Sequence, residues 1–289
     1  MTDPIVSRAM PMEQNNIFTL LGVRFWDPVL DDQVRDGLQV TAWPEGQAEA
    51  KSTAFRTGGG IYAFRGLAGM RYLEYPDEDT DPWLATPVRF IVQALGSRGR
   101  FRPLVFAVNV PFRGIFPTAA LHSPEGLNAA GCWLFSAPTR TMPAGFGVVR
   151  AQLVEAFGEE PAAYAILEVE ITGETWYGIS GEDGQVAVFF PMPDFTSLSG
   201  FTSPVSVVPQ QSWPLTARVR YAPTWQETPA GALAPNVLTL FDQPSREIWL
   251  TDAGATGSTL AIDFIFGEEL VLRTAGQTTL WLEPEASPL

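Results

Sequence analysis

Apolar and polar side chains alternate with a period of two along most of the chain. In 22–27 and 38–43 every second side chain is apolar and its neighbours are mixed, a pattern typical of half-buried β-strands. The turn dipeptides Asp27-Pro28 and Asp36-Gly37 stand between these two segments. The same alternation predicts strands at 52–56, 61–64, 88–94, 104–110, 133–136, 148–154, 165–171, 176–179, 186–190, 203–208, 215–221, 237–241, 247–251, 259–266, 269–273 and 278–282.

Helical patterns are few. A short helix is predicted at 124–130, and 154–157 is either a brief helix or the end of a strand. The chain contains 25 Pro and 26 Gly, which fits many short elements joined by turns. Short strands with a turn about every 8–12 residues predict an all-β protein, built as a sandwich or a barrel.

Two segments share one order of features, which predicts a repeated unit. Residues 37–69 and 147–193 each begin with a Gly-led strand, continue through a variable stretch and a Gly-rich turn, and end in an alternating apolar strand. A chain of 289 residues has the length of about two domains. We therefore expect two tandem β-sandwiches.

The predicted organisation has five parts. They are an N-terminal tail at 1–16, a first sandwich at 17–117, a linker at 118–130, a second sandwich at 131–223 and a β-rich C-terminal extension at 224–289. The extension has little length for a core of its own, so we expect it to pack on the second sandwich or to add strands to a partner's sheet edge. Its deletion is expected to leave a soluble remnant that no longer assembles.

Three motifs resemble a known family of β-sandwiches. They are Gly37-Leu-Gln-Val-Thr-Ala42, Gly60-Ile-Tyr-Ala-Phe-Arg-Gly-Leu67 and Gly181-Glu-Asp-Gly-Gln-Val-Ala-Val-Phe-Phe-Pro191. The pattern is similar to the carboxypeptidase-regulatory-like or transthyretin-like domain, over 17–117 and 131–223. The resemblance implies two tandem Ig/transthyretin-like sandwiches that act as non-catalytic accessory or contact modules.

A second resemblance covers the chain as a whole. The segments Leu20–Val29, Leu134–Arg140 and Phe266–Thr274 look similar to accessory proteins encoded with contractile phage-tail-like injection systems. This resemblance implies a component of a particle, docked at a baseplate or spike, with tail-tube, spike or baseplate proteins as its partners.

The counts of reactive residues exclude several classes of site. The chain has one His, one Cys and one Lys, which are His122, Cys132 and Lys51. One His cannot supply a zinc-enzyme site of the usual type or a facial-triad iron site, and one Cys cannot form an internal disulfide. Cys132 is interpreted as a small buried hydrophobe and His122 as a surface or capping residue. The formal net charge of -14 opposes nucleic-acid binding.

The densest run of acidic residues is Glu74–Asp81. Its carboxylates resemble the oxygen ligands that calcium prefers, and four of them are candidates: Asp77, Glu78, Asp79 and Asp81. The run lacks the Gly and the final Glu of an EF-hand loop. A solvated loop between strands explains it equally well.

Nine Trp are spread over the chain, and four of them stand in Pro-flanked or loop-like surroundings. These four, Trp43, Trp83, Trp213 and Trp225, are the candidate exposed aromatics. Exposed Trp serves either a protein interface or a sugar-binding platform. The irregular spacing favours the interface.

Together these observations predict a non-enzymatic structural or interaction component, in the first place an accessory protein of a contractile phage-tail-like particle. The alternative is a carbohydrate-binding β-sandwich protein that recognises cell-surface glycans, and a hydrolase using two carboxylates is a third possibility. We expect no cofactor, no metal and no catalytic residue. No signal peptide or apolar span is evident, so a cytoplasmic location is expected, with assembly into a particle.

Overall fold

The computed structural model describes residues 17–77, 80–117, 127–128, 130–158, 160–193 and 211–285. Within these ranges the chain forms many short β-strands and two α-helices of only four and five residues. The predicted all-β class is confirmed. His122 and the predicted strand at 203–208 lie outside the described residues, as do most of the predicted linker and all of the N-terminal tail.

The elements of the first half are β1 Gly22–Val23, β2 Phe25–Asp27, β3 Asp32–Gln33, β4 Leu38–Pro44, β5 Ser52–Thr53, β6 Phe55–Arg56, β7 Tyr62–Ala63, α1 Arg71–Glu74, β8 Val88–Gly96, β9 Leu104–Val110, β10 Ile115–Phe116, β11 Leu127–Asn128 and β12 Gly131–Trp133. The elements of the second half are β13 Phe146–Glu155, β14 Ile166–Ile171, β15 Glu174–Ile179, β16 Gln185–Pro191, β17 Ser212–Arg220, α2 Val237–Phe241, β18 Ser245–Arg246, β19 Ile248–Trp249, β20 Thr256–Gly257, β21 Leu260–Ile265, β22 Leu270–Leu272 and β23 Leu280–Leu282. Short 3₁₀ turns lie at Pro82–Leu84, Ser97–Gly99 and Pro223–Trp225.

The first unit consists of the sheets that contain β1 to β12. One sheet has the order β5-β4-β8-β9 and is antiparallel throughout. Two smaller sheets, β10-β1-β7-β6 and β11-β12-β2-β3, meet at Arg24, the one residue that separates β1 from β2. Side chains of all three sheets share one core, in which Phe25, Phe64, Phe90 and Phe106 are fully buried.

The second unit contains β13 to β23 in two sheets. The order β16-β13-β23-β19-β20 forms one sheet, in which β22 also pairs with β13. The order β15-β14-β17-β18 forms the other sheet, in which β21 also pairs with β17. Alternate side chains of the two sheets meet in a second core, where Leu153, Leu167, Val219 and Phe264 are fully buried.

The observed strand pairing differs from both predicted boundaries of the second sandwich, 131 and 223. Strand β12 pairs in parallel with β2, and Cys132 and Leu134 are buried in the core of the first unit, so the segment that begins at residue 131 belongs to that unit. At the other end, β18 and β21 pair with β17, and β22 and β23 pair with β13. The described part of the C-terminal segment, 224–285, is β-rich, as predicted, and its strands complete both sheets of the second unit.

The predicted strand at 237–241 is wrong, because this segment forms α2. The Asn236 side chain caps the helix by accepting a hydrogen bond from the Leu238 amide at 3.2 Å. Val237, Leu240 and Phe241 are buried in the core of the first unit, a spacing of three and four residues that suits one helix face. A short apolar run does not distinguish a buried helix from a strand by its pattern alone.

The sequence echo between 37–69 and 147–193 is not repeated in the pairing of strands. In the second segment, β13 pairs with β16 at the end of the same segment. In the first segment, β4 pairs with β5 and with β8, which lies outside it. The two α-helices in the described part of the chain, of four and five residues, are too short to span a bilayer.

Candidate functional site

The two units are joined by a strap, residues 226–236, that runs from the second unit across the outside of the β4–β8 sheet. The Trp43 indole N–H donates to the carbonyl of Ala230 at 3.2 Å, and Lys51 Nζ donates to the carbonyl of Gly231 at 2.8 Å. The Leu233 amide donates to the Gln93 side chain at 2.8 Å. These contacts, with α2 in the first core, hold the units in one relative position.

An aromatic cleft of about 250 Å³ lies where β2 and β12 of the first unit face β15 and β16 of the second. Its principal rings are those of Trp26, Trp133, Trp176 and Tyr177. The remaining lining residues are Pro28, Val29, Asp31, Ala130, Phe135, Glu174, Thr175 and Phe189. Because each unit supplies about half of the wall, the cleft exists only while the units stay together.

Strand register explains why two of these Trp are neighbours. In β2 and β12, Trp26 and Trp133 are directly paired, as are Phe25 and Cys132. Phe25 and Cys132 point into the core and are fully buried, so the alternation of the strands directs both indoles to the opposite face. The Trp133 and Tyr177 rings then approach across the seam, with their centroids 6.5 Å apart and their planes inclined at 38°.

Two carboxylates, those of Asp31 and Glu174, stand at the rim of the cleft. Both residues are exposed, and Asp31 Oδ1 accepts a hydrogen bond of 3.2 Å from the Trp26 indole N–H. Neither carboxylate forms an ion pair with any residue that the structure describes. None of the described lining residues is basic. Within the described part of the chain, the two negative charges of the rim are therefore not neutralised by a basic side chain.

The Trp133 indole N–H is a buried donor without a hydrogen-bond partner among the described residues. An unsatisfied buried donor of this kind costs about 1–3 kcal/mol. Trp133 lines the cleft, so this unsatisfied donor lies in the wall of the cleft. Unpaired polar groups are rare in protein interiors, so each one calls for a physical explanation.

A second cleft, of about 440 Å³, lies at another point of the same seam and is polar. Burial, and then the hydrogen bond that its hydroxyl donates to Glu182 at 3.0 Å, raise the pKa of Tyr164 to about 12. Desolvation lowers the pKa of Arg102, which donates to the carbonyl of Gln185. Ser180 also lines this cleft, but its hydroxyl is engaged, donating to the Ala162 carbonyl at 2.6 Å. Of these contacts, the one from Arg102 joins the first unit to the second.

The four Trp predicted to be exposed have different surroundings. Trp43 is 0% exposed and Trp213 only 8%, so the expectation of exposure is wrong for both. Trp43 lies beneath the strap, and Trp213 packs on Phe264 in the second core. Trp83 is half-buried with its ring edge-on to Phe18, and Trp225 is 53% exposed. A partner contact at these last two positions stays a prediction.

The aromatics of the cleft were not among the sequence candidates. Trp26, Trp133 and Trp176 each lie within a strand and not in a Pro-flanked loop. In the alternating strand, Phe25 stands at an apolar position and Trp26 at the next, on the face that is otherwise polar. That position is the one sign in the sequence that the Trp26 ring faces outward. Nothing in the sequence pairs it with a Trp more than a hundred positions later.

The acidic run is not a wholly solvated loop. Glu74 is buried, and its carboxylate accepts hydrogen bonds from the amides of Gly66 and Leu67, at 2.7 and 3.3 Å. Asp81 caps the following 3₁₀ turn by accepting from the Trp83 amide. Glu78 and Asp79 lie outside the described residues, and among those described no cluster of three or more potential metal ligands occurs.

Cys132 is buried, as predicted, and burial raises the pKa of its thiol well above the usual value. A thiol in that state holds its proton and is a poor nucleophile.

No family model and no curated protein matches the chain. Two solved structures are similar to it at 8% identity and a TM-score of 0.24. One is the shaft pilin SpaA from Lactobacillus rhamnosus GG, and the match covers 93% of this chain and 98% of the pilin chain. The other is a candidate adhesin from Bacteroides ovatus ATCC 8483, and the match covers 94% of this chain and 95% of the adhesin chain. A TM-score this low assigns neither a family nor a function.

Proposed function

We propose that this protein is a non-enzymatic binding component whose aromatic cleft holds a glycan. The observation that carries the proposal is that six aromatic side chains from two units line one cleft, whose rim bears two carboxylates without an ion pair among the described residues. A sugar ring has an apolar face of C–H groups and an edge of hydroxyls. Aromatic rings suit the face, and carboxylate oxygens accept hydrogen bonds from the edge.

The volume of the cleft suits one sugar residue of a glycan. Its volume of about 250 Å³ lies below the range of about 300–1,000 Å³ for sites that enclose drug-sized ligands. A longer glycan therefore places one residue between the rings and extends over the surface on either side.

The rim carboxylates favour binding over hydrolysis. A glycosidase needs one carboxyl group that is shielded enough to stay protonated and act as an acid. Asp31 and Glu174 are both exposed, so water hydrates both. We therefore expect no new reducing ends when a bound glycan is incubated with the protein, and measurable turnover would favour the hydrolase alternative.

A glycan array followed by calorimetric titration tests the proposal. Trp176→Ala is expected to weaken binding at least about tenfold, since stacking on an aromatic face is lost. Trp225→Ala is the matched control, because Trp225 is more exposed and does not line the cleft. Thermal unfolding of each variant separates loss of the site from loss of the fold. Equal binding by the two variants, both folded, would contradict the proposal.

Membership of a contractile phage-tail-like particle stays a prediction, as does the cytoplasmic location. A glycan-binding component is compatible with such a particle, since docking on a cell surface needs a receptor. Recovery of tail-tube, spike or baseplate proteins in a pull-down would support this role. A protein recovered only as a free monomer would count against it.

A further inference from the structure

We propose that the glycan in the aromatic cleft carries a primary ammonium group, that is, an amino sugar without an N-acetyl group. The inference rests on the proposed function and names its ligand class. Asp31 and Glu174 bring two negative charges to the rim, and no described lining residue brings a positive one. A cationic group of the ligand supplies that missing charge.

Nearby arginines do not neutralise this rim. Arg140 and Arg150 lie over the Phe189 ring, with guanidinium carbons 5.6 and 5.8 Å from its centroid. Arg140 is already paired with Asp27 at 2.8 Å, and Arg150 with Glu269 at 2.7 Å. Arg24, two positions before Trp26, does not line the cleft.

The rings of the cleft also favour a cation. Trp has the strongest cation–π attraction of the aromatic side chains, and the cleft has three of them, Trp26, Trp133 and Trp176. The hydrogen bond from the Trp26 indole to Asp31 places a carboxylate beside one of these rings. That carboxylate lies at the edge of the Trp26 ring, so an ammonium group over the face of the ring is near a negative charge as well. The formal net charge of -14 attracts cations from a distance as well.

The carboxylates favour a primary ammonium group over a quaternary one. A primary ammonium group has three N–H donors, and charge-assisted hydrogen bonds to carboxylate are the stronger class. A quaternary ammonium group has no donor and would leave the oxygens of Asp31 and Glu174 without hydrogen bonds from the ligand. An N-acetyl group removes the charge altogether.

Three oligosaccharides of equal length and linkage provide the test: oligomers of glucosamine, of N-acetylglucosamine and of glucose. The full chain is titrated with each at low and at high ionic strength. We expect the glucosamine oligomer to bind about tenfold more tightly than the other two, and we expect that preference to shrink at high salt because exposed charges are screened.

Variants that change charge but not size sharpen the test. Asp31→Asn and Glu174→Gln are each expected to weaken binding of the glucosamine oligomer about threefold to fivefold, as for an exposed charge pair, and to leave the glucose oligomer unaffected. Trp176→Ala is expected to weaken all three oligomers, and Trp225→Ala none.

The possible results separate the two proposals. If the amino and N-acetyl oligomers bind equally well, the ammonium inference is overturned and the glycan function stands. If choline binds as tightly as the glucosamine oligomer, the commitment to a sugar is overturned. If neither these oligomers nor any sugar of the array binds to the folded protein, both proposals are overturned.

Discussion

Asp27 and Arg140 form a buried ion pair across 113 positions of the chain. The Arg140 guanidinium donates to Asp27 Oδ1 at 3.0 Å and to Oδ2 at 2.8 Å, and the two residues are 5% and 1% exposed. Asp27 Oδ1 also accepts from the Val29 amide. Since Trp26 is the preceding residue, this pair anchors the end of the strand on which the first ring of the aromatic cleft stands.

Replacing one partner of this pair is expected to be costly. Asp27→Asn leaves the Arg140 guanidinium buried without its counter-charge, and we expect the free energy of unfolding to fall by about 3–5 kcal/mol in urea titrations. The double variant Asp27→Leu/Arg140→Met, which buries no charge, is expected to lose less than the single one. A single variant within about 0.5 kcal/mol of wild type would show that the pair contributes little.

The strap requires glycine at position 231. Gly231 has φ +76°, and a Cβ there would lie 2.5 Å from the Cβ of Ala48. Gly46 has a similar φ of +81° but open space around it, so Gly46→Ala measures the cost of backbone strain alone, about 1–2 kcal/mol. We expect Gly231→Ala to cost more. Adding Ala48→Gly removes the clash and is expected to bring the loss back to that of Gly46→Ala; no rescue would mean that the strap does not lie against Ala48.

Ionisation of Tyr164 makes the free energy of unfolding depend on pH in the alkaline range. Its pKa is raised from 10.0 to about 12 by burial and by the hydrogen bond to Glu182. Below pH 10 the phenol is neutral in both states. Between about pH 10 and 12 the unfolded chain loses this proton before the folded chain does, so stability falls as pH rises. Tyr164→Phe is expected to flatten part of this fall in urea midpoints. Burial also raises the pKa of Tyr221, so part remains, and an unchanged slope would contradict the assignment.

Truncation after residue 223 is expected to unfold the second unit. The deletion removes β18 to β23, which belong to both of its sheets, and α2, which packs in the first core. In place of the soluble remnant expected from the sequence, we expect a smaller β-sheet signal in circular dichroism and rapid proteolysis of 146–223. A truncated chain in which 146–223 resists proteolysis as well as it does in the full chain would contradict this prediction.

The strands were largely predictable because alternation is a local property. Most segments between 22 and 282 with a period of two form strands at nearly the predicted positions. The prediction of a strand at 237–241 is wrong because the helix there depends on the Asn236 cap and on the first core, against which its apolar face packs. The prediction that Trp43 is exposed is wrong for a similar reason, since the strap that covers it comes from residues far along the chain.

The all-β class, the abundance of turns and the scarcity of His, Cys and Lys could all be read from the sequence. Each of these depends on residue counts or on neighbours within a few positions. Which outward faces of the strands meet depends on the folded chain. An alternating strand has two faces, and the pattern places Trp26 on one of them but does not predict which residues that face contacts. Its contact with Trp133 and the second unit depends on long-range pairing of strands, for which the local pattern contains no information.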